Sequence, residues 1–528
     1  MTMWWVTPKV QGGTTPMYPG KRALQYPDRI ALVMADSGAS LTYAQFEAAA
    51  NQLAHFYRDI GIQPGDRVAY MMENCLANVV AQGAGERTGL YYTLINFHLT
   101  ADEAAYIVND SAARVVVTTR AVLDVARELP ARCPHVERWL MVDRPEGLDG
   151  FEDLDEVVAQ YPTSPVADER LGLALLYSSG TTGKPKGVLR PRLDLDPADP
   201  LPIFQLVPKV YHTRADMVFL QPAPLYHSGP QSATAESLRC GGTCVIMPKF
   251  DAERFLQLVE QYGVTNSLVV PTMLSRILQL PAEVREKYDV SSLEAIAHGA
   301  APCPPSVKRA MIDWLGPILF EYYGSTEANG SVICDSHEWL AHPGTVGKPL
   351  VGELFILGPD GEQLPAGQPG VVWIKGATNF QYLNDPEKTK AAQSADGSMS
   401  TNGDIGYLDE DGYLYLTDRV GFTIVSGGVN IYPREVEDVL AAHPAVADVA
   451  VIGVPDEDMG EAVKAVVELR PGVPTDGIEA EIIEFCRSRL AKFKCPRSVD
   501  VIDAMPRNTN GKLMKTELVK RYRATQPA

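Results

Sequence analysis

The sequence predicts an α/β protein: a large N-terminal multi-layer α/β domain over residues 1–419, carrying a β-rich subdomain at 352–417, and a small mobile α+β C-terminal domain at 420–528. Three observations lead there. Residues 41–143 alternate amphipathic and β-branched stretches, the βαβ rhythm of a largely parallel sheet covered by helices. From Gly352 the pattern changes to short β runs (ELFIL, GVVWIKG, YLYL) separated by the turn-forming PDGEQLPAGQPG and DEDG. After Arg419 a compact mixture of helical and strand patterns begins afresh. A chain of 528 residues also exceeds the roughly 250 to 300 at which a single core stops growing.

The elements follow in order. Thr42 and Gln45 form a capping box that opens a helix, and RVAYMM reads as the next strand. An amphipathic stretch from Cys75 and the strand LYYTLI come next. Thr100 and Glu103 make a second capping box before AAYIV, and RVVVTT is a β-branched strand. VFLQPAPL, TCVIMP, SLVVPT and LEAIAHG continue the alternation to about residue 340. In the C-terminal part a helix is expected from Pro433, strands at DVAVIGV and KAVVEL, a helix from Ile478, a strand at SVDVID and a last helix from Leu513. Residues 190–215, with PRLDLDPADPLP, read as a surface loop or lid instead of a helix.

Composition narrows the function. Hydrophobic residues at 45% and charged residues at 21% fit an ordinary soluble globular protein. The net charge of -19 gives no long-range attraction for nucleic acid or anionic lipid, so an anionic substrate must be held by local donors. No basic n-region with an apolar core opens the chain, and no run of about 18 apolar residues follows, so no export signal and no integral membrane segment are expected. Trp4 and Trp5 are assigned to packing of a terminal arm. Eight scattered cysteines without a CxxC fit a reduced, cytoplasmic setting. Cys240 and Cys244, flanking Gly-Gly-Thr, read as buried thiols in a strand and turn, not a metal site.

The local donors are found in LLYSSGTTGKPKG. Ser178, Ser179, Gly180, Thr181, Thr182, Gly183, Lys184, Pro185, Lys186 and Gly187 combine pliable backbone N–H groups, four hydroxyls and two ammonium groups, a natural cradle for phosphate. The same composition serves a plain surface turn. Pro185 after Gly183-Lys184 breaks the Walker A pattern, which disfavours a P-loop kinase or ATPase.

The loop has company: APLYHSG at 223–229, HGAAP at 298–302, EYYGSTE at 321–327, TNGD at 401–404, LTDR at 416–419, SGGVNIYPREVE at 426–437 and PRNTNGKLMK at 506–515. In this order they resemble the adenylate-forming superfamily: AMP-forming acyl-CoA synthetases, luciferases and the adenylation domains of peptide synthetases. The resemblance spans nearly the whole chain. It implies ATP, Mg²⁺ and coenzyme A as cofactor or co-substrates, and a small-molecule carboxylic acid as substrate. It leaves room for a homodimer.

Residue roles follow from the resemblance. It puts Gly299, Ala300, Ala301 and the ring of Tyr323 against adenine, Thr326 on phosphate, and Glu327 with Thr181 on the metal, where oxygen ligands suit a hard cation. Asp404 and Arg419 would hold the ribose. Lys512 would stabilise charge as the carboxylate attacks the α-phosphorus, in an otherwise ordinary solvated position. His227 would line the acyl site, with a buried imidazole as the alternative, and Gly427 and Gly428 would form part of a pantetheine tunnel. Because Lys512 lies far along the chain from the phosphate loop, catalysis is expected to need domain closure.

Departures from the family pattern sharpen the reading. Amino-acid-activating relatives carry an Asp where this chain has Ser228, which argues against an amino-acid substrate. Small residues Ser228, Gly229, Ser232 and Ala233 allow a roomy acyl site, tuned by His298 and Cys303. Gly421 and Phe422 stand where a hinge usually has charged residues. The expected activity is an AMP-forming acid:CoA ligase on a fatty, arylalkanoic or steroid side-chain acid. Its rivals are an acyl-AMP ligase loading a carrier protein, a luciferase-type oxygenase, a silent nucleotide-binding protein and a P-loop phosphotransferase, which would release ADP.

Overall fold

Five consecutive residues of RVVVTT, Val115–Thr119, are all buried, as a strand covered on both faces requires. In the computed structural model, which describes residues 17–178, 185–199, 208–376, 380–419, 421–426, 429–456, 459–508 and 512–524, this strand sits inside a six-stranded parallel sheet. The order is Glu152–Asp153, Arg138–Val142, Val115–Thr119, Arg67–Met71, Tyr91–Leu94, Leu173–Ala174. Both capping boxes form, Thr42 with Gln45 on the helix Tyr43–Asp59 and Thr100 with Glu103 on Ala101–Ser111. Leu53, Phe56 and Tyr57 of the first helix pack against Val68, Tyr70 and Val117 of the sheet.

A second group of parallel strands runs Asn266–Val269, Val218–Gln221, Thr243–Ile246, Ile30–Met34, with Ser40–Thr42 antiparallel at the edge. These layers form one compact unit, the described residues of Met1–Leu176, Arg192–Leu268 and Glu286–Ala297. Part of the segment expected to be loop is helical: residues 208–211 form a turn of helix because Tyr211 is a buried anchor, its hydroxyl 2.8 Å from Ser232 Oγ. Residues 192–196 have no regular secondary structure, a turn follows at 197–198, and residues 200–207 lie outside the described ones. All eight cysteines are free; Cys240 ends the helix Ser228–Cys240 and Cys244 lies in a strand, both buried. Among the described residues no helix is long and apolar enough to cross a membrane.

The other unit comprises Tyr177–Pro191, Val269–Arg285 and His298–Ala528. It carries three antiparallel strands, Leu319–Gly324, Ser331–Cys334 and Lys348–Val351. The β-rich stretch forms a four-stranded antiparallel sheet, Glu353–Leu357, Gly370–Lys375, Met399–Leu408, Leu414–Arg419. Val332, Ile356, Val372 and Leu414 make its core.

A five-stranded sheet follows. Its order is Val429–Ile431, Ile424–Ser426, Gly460–Leu469, Val446–Asp456, with Ser498–Val501 parallel to Gly460–Leu469. The two-residue strand period divides its faces: Val449 and Val451 meet Val436, Leu440, Ile482 and Cys486 of helices Pro433–Ala441 and Ile478–Arg487, whereas Ala450 and Ile452 meet Leu518. The last helix runs Lys515–Ala524, two residues later than expected, because Leu513 is engaged as the bridge partner of Arg507.

Candidate active site

Ser178 ends the strand Leu176–Ser178, and Lys186 opens its sheet neighbour Lys186–Leu189, so the phosphate loop joins two adjacent strands. Ser179, Gly180, Thr181, Thr182, Gly183 and Lys184 lie outside the described residues, as do Gly427 and Gly428. The third strand of this small sheet, Gln381–Tyr382, pairs antiparallel with the second and brings Tyr382 alongside. The Lys186 ammonium lies 4.8 Å from the Tyr382 ring centroid. Burial lowers its pKa, with Lys388 adding to the effect and Glu327 and Asp385 opposing it.

Glu327 is the acceptor for the same tyrosine. The Tyr382 hydroxyl donates to Glu327 Oε1 at 2.8 Å, and the carboxylate is 8% exposed. Thr326 and Glu327 occupy a turn closed by Ala328 N donating to Ser325 O at 3.1 Å. Asn329, fully buried, fixes that turn: Ser325 Oγ donates to its side-chain oxygen at 3.1 Å, and its amide donates to Ser400 Oγ at 3.0 Å. One buried carboxylate suits a cation that arrives on a triphosphate, since Mg²⁺ is usually held by one or two carboxylates plus substrate phosphates. Among the described residues there is no group of three or more His, Cys, Asp or Glu that could hold a metal ion.

TNGD lies in the ten-residue strand Met399–Leu408, where register shifts against both neighbours re-aim the side chains. Asp404 sits directly across from Arg419, whose Nε donates to Asp404 Oδ1 at 2.8 Å. The other oxygen, Oδ2, accepts from the Tyr323 hydroxyl at 2.7 Å. Asp404 is buried, and its charge is the first cause raising the Arg419 pKa. Gly299, Ala300 and Ala301 follow the strand Ala295–His298. A Cβ on Gly299 would come 2.6 Å from the Tyr322 carbonyl oxygen, so only glycine allows this close approach. Ala300 is exposed, at φ +66.

Lys512 is brought to this cluster. Its backbone is tied to Asn508: Asn508 N donates to Lys512 O at 2.9 Å and Lys512 N donates to Asn508 Oδ1 at 2.8 Å. Its ammonium is pushed down to about 8, first by burial and next by the charge of Arg419; Asp404 and Glu327 act in the opposite direction. The charges of three other predicted residues far apart in sequence, Arg419, Asp404 and Glu327, thus all act on the Lys512 ammonium. Tyr382 and Asn329 were not predicted, because each acts through a tertiary hydrogen bond that leaves no local pattern.

His298 is fully buried, and among the described residues neither ring nitrogen has a hydrogen-bond partner; burial holds its pKa well below the usual value, and Lys308 adds to this. Burial likewise raises the Cys303 thiol. His227 belongs to the first unit. It precedes the helix Ser228–Cys240, with its ring centroid 4.4 Å from that of Tyr226. Ser232 on that helix is occupied by Tyr211, and Ala233 is buried.

The AMP-binding enzyme model matches residues 20–382, and the AMP-binding enzyme C-terminal domain model matches 435–512. The chain is 31% identical over 512 residues to the long-chain-fatty-acid–CoA ligase FadD13 of Mycobacterium tuberculosis, spanning 96% of this chain and 98% of that one. It is 34% identical over 511 residues to a feruloyl-CoA synthase from an Amycolatopsis species, spanning 96% and 98%. The crystal structure of ATP-bound MatB from Rhodopseudomonas palustris matches with a TM-score of 0.81 at 30% identity, over 96% of this chain and 99% of that one. The chain therefore belongs to the AMP-binding enzyme family, among the AMP-forming acid–thiol ligases of the adenylate-forming superfamily.

Proposed function

We propose that this chain is a cytoplasmic, ATP-dependent carboxylic acid:CoA ligase that works through an acyl adenylate on a fatty, arylalkanoic or steroid side-chain acid. The convergence of Lys512 on Asp404, Arg419 and Glu327 carries the reading. Relatives that act on long-chain fatty acids and on ferulate support an apolar or aryl acid, and Ser228 in place of an ammonium-binding Asp fits both.

In the first step a carboxylate oxygen bonds to the α-phosphorus, the bond to the bridging oxygen breaks, and pyrophosphate leaves with the electron pair. Asp404 and Arg419 hold the ribose, and Tyr323 lies against adenine. The loop of Ser178 to Lys186, with Thr326, holds the phosphates. A bound Mg²⁺, held by Glu327 and Thr181, would neutralise phosphate charge. Lys512 offsets the charge that spreads over carboxylate and phosphate. In the second step the CoA sulfur attacks the acyl carbonyl, its proton passes to solvent, and AMP departs. Residues 420–528 act as the domain that moves between the steps, with Gly427 and Gly428 along the pantetheine path and His227 lining the acyl site. Gly421, at φ +103, occupies a backbone conformation that charged hinge residues adopt poorly, which accounts for its departure from the family pattern.

Adenylation transfers one carboxylate oxygen to AMP. Acid labelled with ¹⁸O should therefore yield labelled AMP, together with pyrophosphate and an acyl-CoA. Release of ADP, or unlabelled AMP across a panel of fatty, aryl and steroid acids, would refute the proposal.

A further inference from the structure

Lys515, three residues beyond Lys512, begins the helix Lys515–Ala524. A cation at a helix start faces the positive end of the macrodipole, so local structure gives no reason for lysine there. Tertiary structure does. Its ammonium lies 2.8 Å from Glu437 Oε1, 3.9 Å from Asp418 Oδ2 and 5.6 Å from the ring centroid of Phe422. The Lys515, Asp418 and Glu437 side chains are only 10%, 8% and 18% exposed.

Each partner ties Lys515 to a different element. Asp418 immediately precedes Arg419 on the strand Leu414–Arg419; its Oδ1 accepts from Arg419 N at 2.6 Å, while Oδ2 is buried, has no hydrogen bond among the described residues and lies 3.9 Å from the ammonium. Glu437 belongs to the helix Pro433–Ala441, and the oxygen that meets Lys515 also accepts from Val451 N at 2.7 Å. Phe422 gives the ammonium an aromatic seat without adding charge. On the other side of Lys512, Arg507 grips Asp448 with two bonds of 2.6 Å, and Met514 N donates to Pro506 O at 2.7 Å. The segment that carries Lys512 is therefore held at both ends.

We propose that Lys515, paired with Asp418 and Glu437 over Phe422, is a positioning residue for adenylation: it fastens the Lys512 segment to the strand bearing Arg419, so that both cations meet the same nucleotide. Lys515 touches no reacting atom. This inference rests on the ligase reading.

The test measures carboxylate-dependent ATP–pyrophosphate exchange and, separately, thioester formation from supplied acyl adenylate and CoA. Lys515→Met should lower the kcat of exchange by about ten- to a hundredfold, with the KM for ATP and the thioester step each changed by less than about threefold. Lys515→Arg should recover most of the exchange rate. Asp418→Asn, which keeps the shape but removes the charge, should reproduce the same split and decides the matter if Lys515→Met does not fold. Equal loss in both half-reactions, no loss in either, or failure of Lys515→Arg to recover exchange would overturn the inference. Exchange by the wild-type enzyme tests the underlying reading separately: if no acid supports it, the ligase proposal falls and this inference with it.

Discussion

Tyr382 donates a 2.8 Å hydrogen bond to Glu327 while the Lys186 ammonium lies 4.8 Å from the same ring. One aromatic side chain thus links the end of the phosphate loop to the carboxylate assigned to the cation. Tyr382→Phe keeps the ring and removes the donor, so Glu327 loses the bond that orients it. Binding of Mn²⁺·ATP, followed by the paramagnetic signal of the free ion, should weaken about three- to tenfold, as expected for one charge-assisted hydrogen bond. Unchanged binding would show that the bond has no part in holding the metal nucleotide.

Asp404 accepts from both Arg419 and Tyr323. Asp404→Ala takes the acceptor from the Tyr323 hydroxyl and from Arg419 and should cost about 1 to 3 kcal/mol of stability, besides abolishing measurable ATP binding. Tyr323→Phe, which loses only one hydroxyl, should cost about 1 kcal/mol. Denaturant unfolding and calorimetric titration with ATP check both. Equal effects from the two changes would contradict the assignment of Asp404 as the hub.

The Lys512 ammonium, pushed down to about 8, gives two pH signatures. On the proposed role, adenylation uses the protonated form, so kcat/KM, which reports the free enzyme, should fall as the pH rises through about 8. Between that value and the ordinary lysine range the unfolded chain binds the proton that the folded chain has released. The buried ammonium is therefore a cost at neutral pH that fades as the pH rises. Lys512→Met should stabilise the ligand-free protein at pH 7 by about 1 to 3 kcal/mol, read as a higher Tm.

Glu236, on the helix Ser228–Cys240, is 1% exposed, and burial raises its carboxyl to about 8. Below the ordinary carboxyl range both folded and unfolded chains hold the proton. Between that range and about pH 8 only the unfolded chain releases it, so stability falls as the pH rises and levels off above 8. Glu236→Gln should flatten that slope and be more stable than wild type at pH 8 by about 1 to 3 kcal/mol. Thermal unfolding at pH 5.5 and pH 8 would reveal it, and a wild-type slope retained by the variant would contradict it.

Features written in a local code were legible in the sequence. The Thr42 and Thr100 capping boxes, the buried strand Val115–Thr119 and the alternating strand Val446–Asp456 depend on neighbours a few residues apart. Ordered motifs in the sequence singled out Glu327, Asp404, Arg419 and Lys512, whose charges the structure places within reach of one another. What escaped depends on long-range pairing. Tyr382 lies in a two-residue strand whose role comes from pairing with Val188, and Asn329 matters through Ser400. TNGD lies within a bulged strand because both neighbouring strands supply hydrogen bonds. Tyr211 turned part of an expected loop into helix by finding Ser232. Lys515 was hidden for the same reason, since its partners Asp418 and Glu437 are distant in sequence.

In the proposed ligase, Lys512 completes an adenylation site with Glu327, Asp404 and Arg419. Comparing the two half-reactions of Lys512→Ala tests it most directly. Adenylate formation should fall by about a hundred- to a thousandfold, the usual cost of removing one preorganised charge-stabilising donor, while thioester formation from supplied acyl adenylate stays within about threefold of wild type. Equal loss of both half-reactions would contradict it.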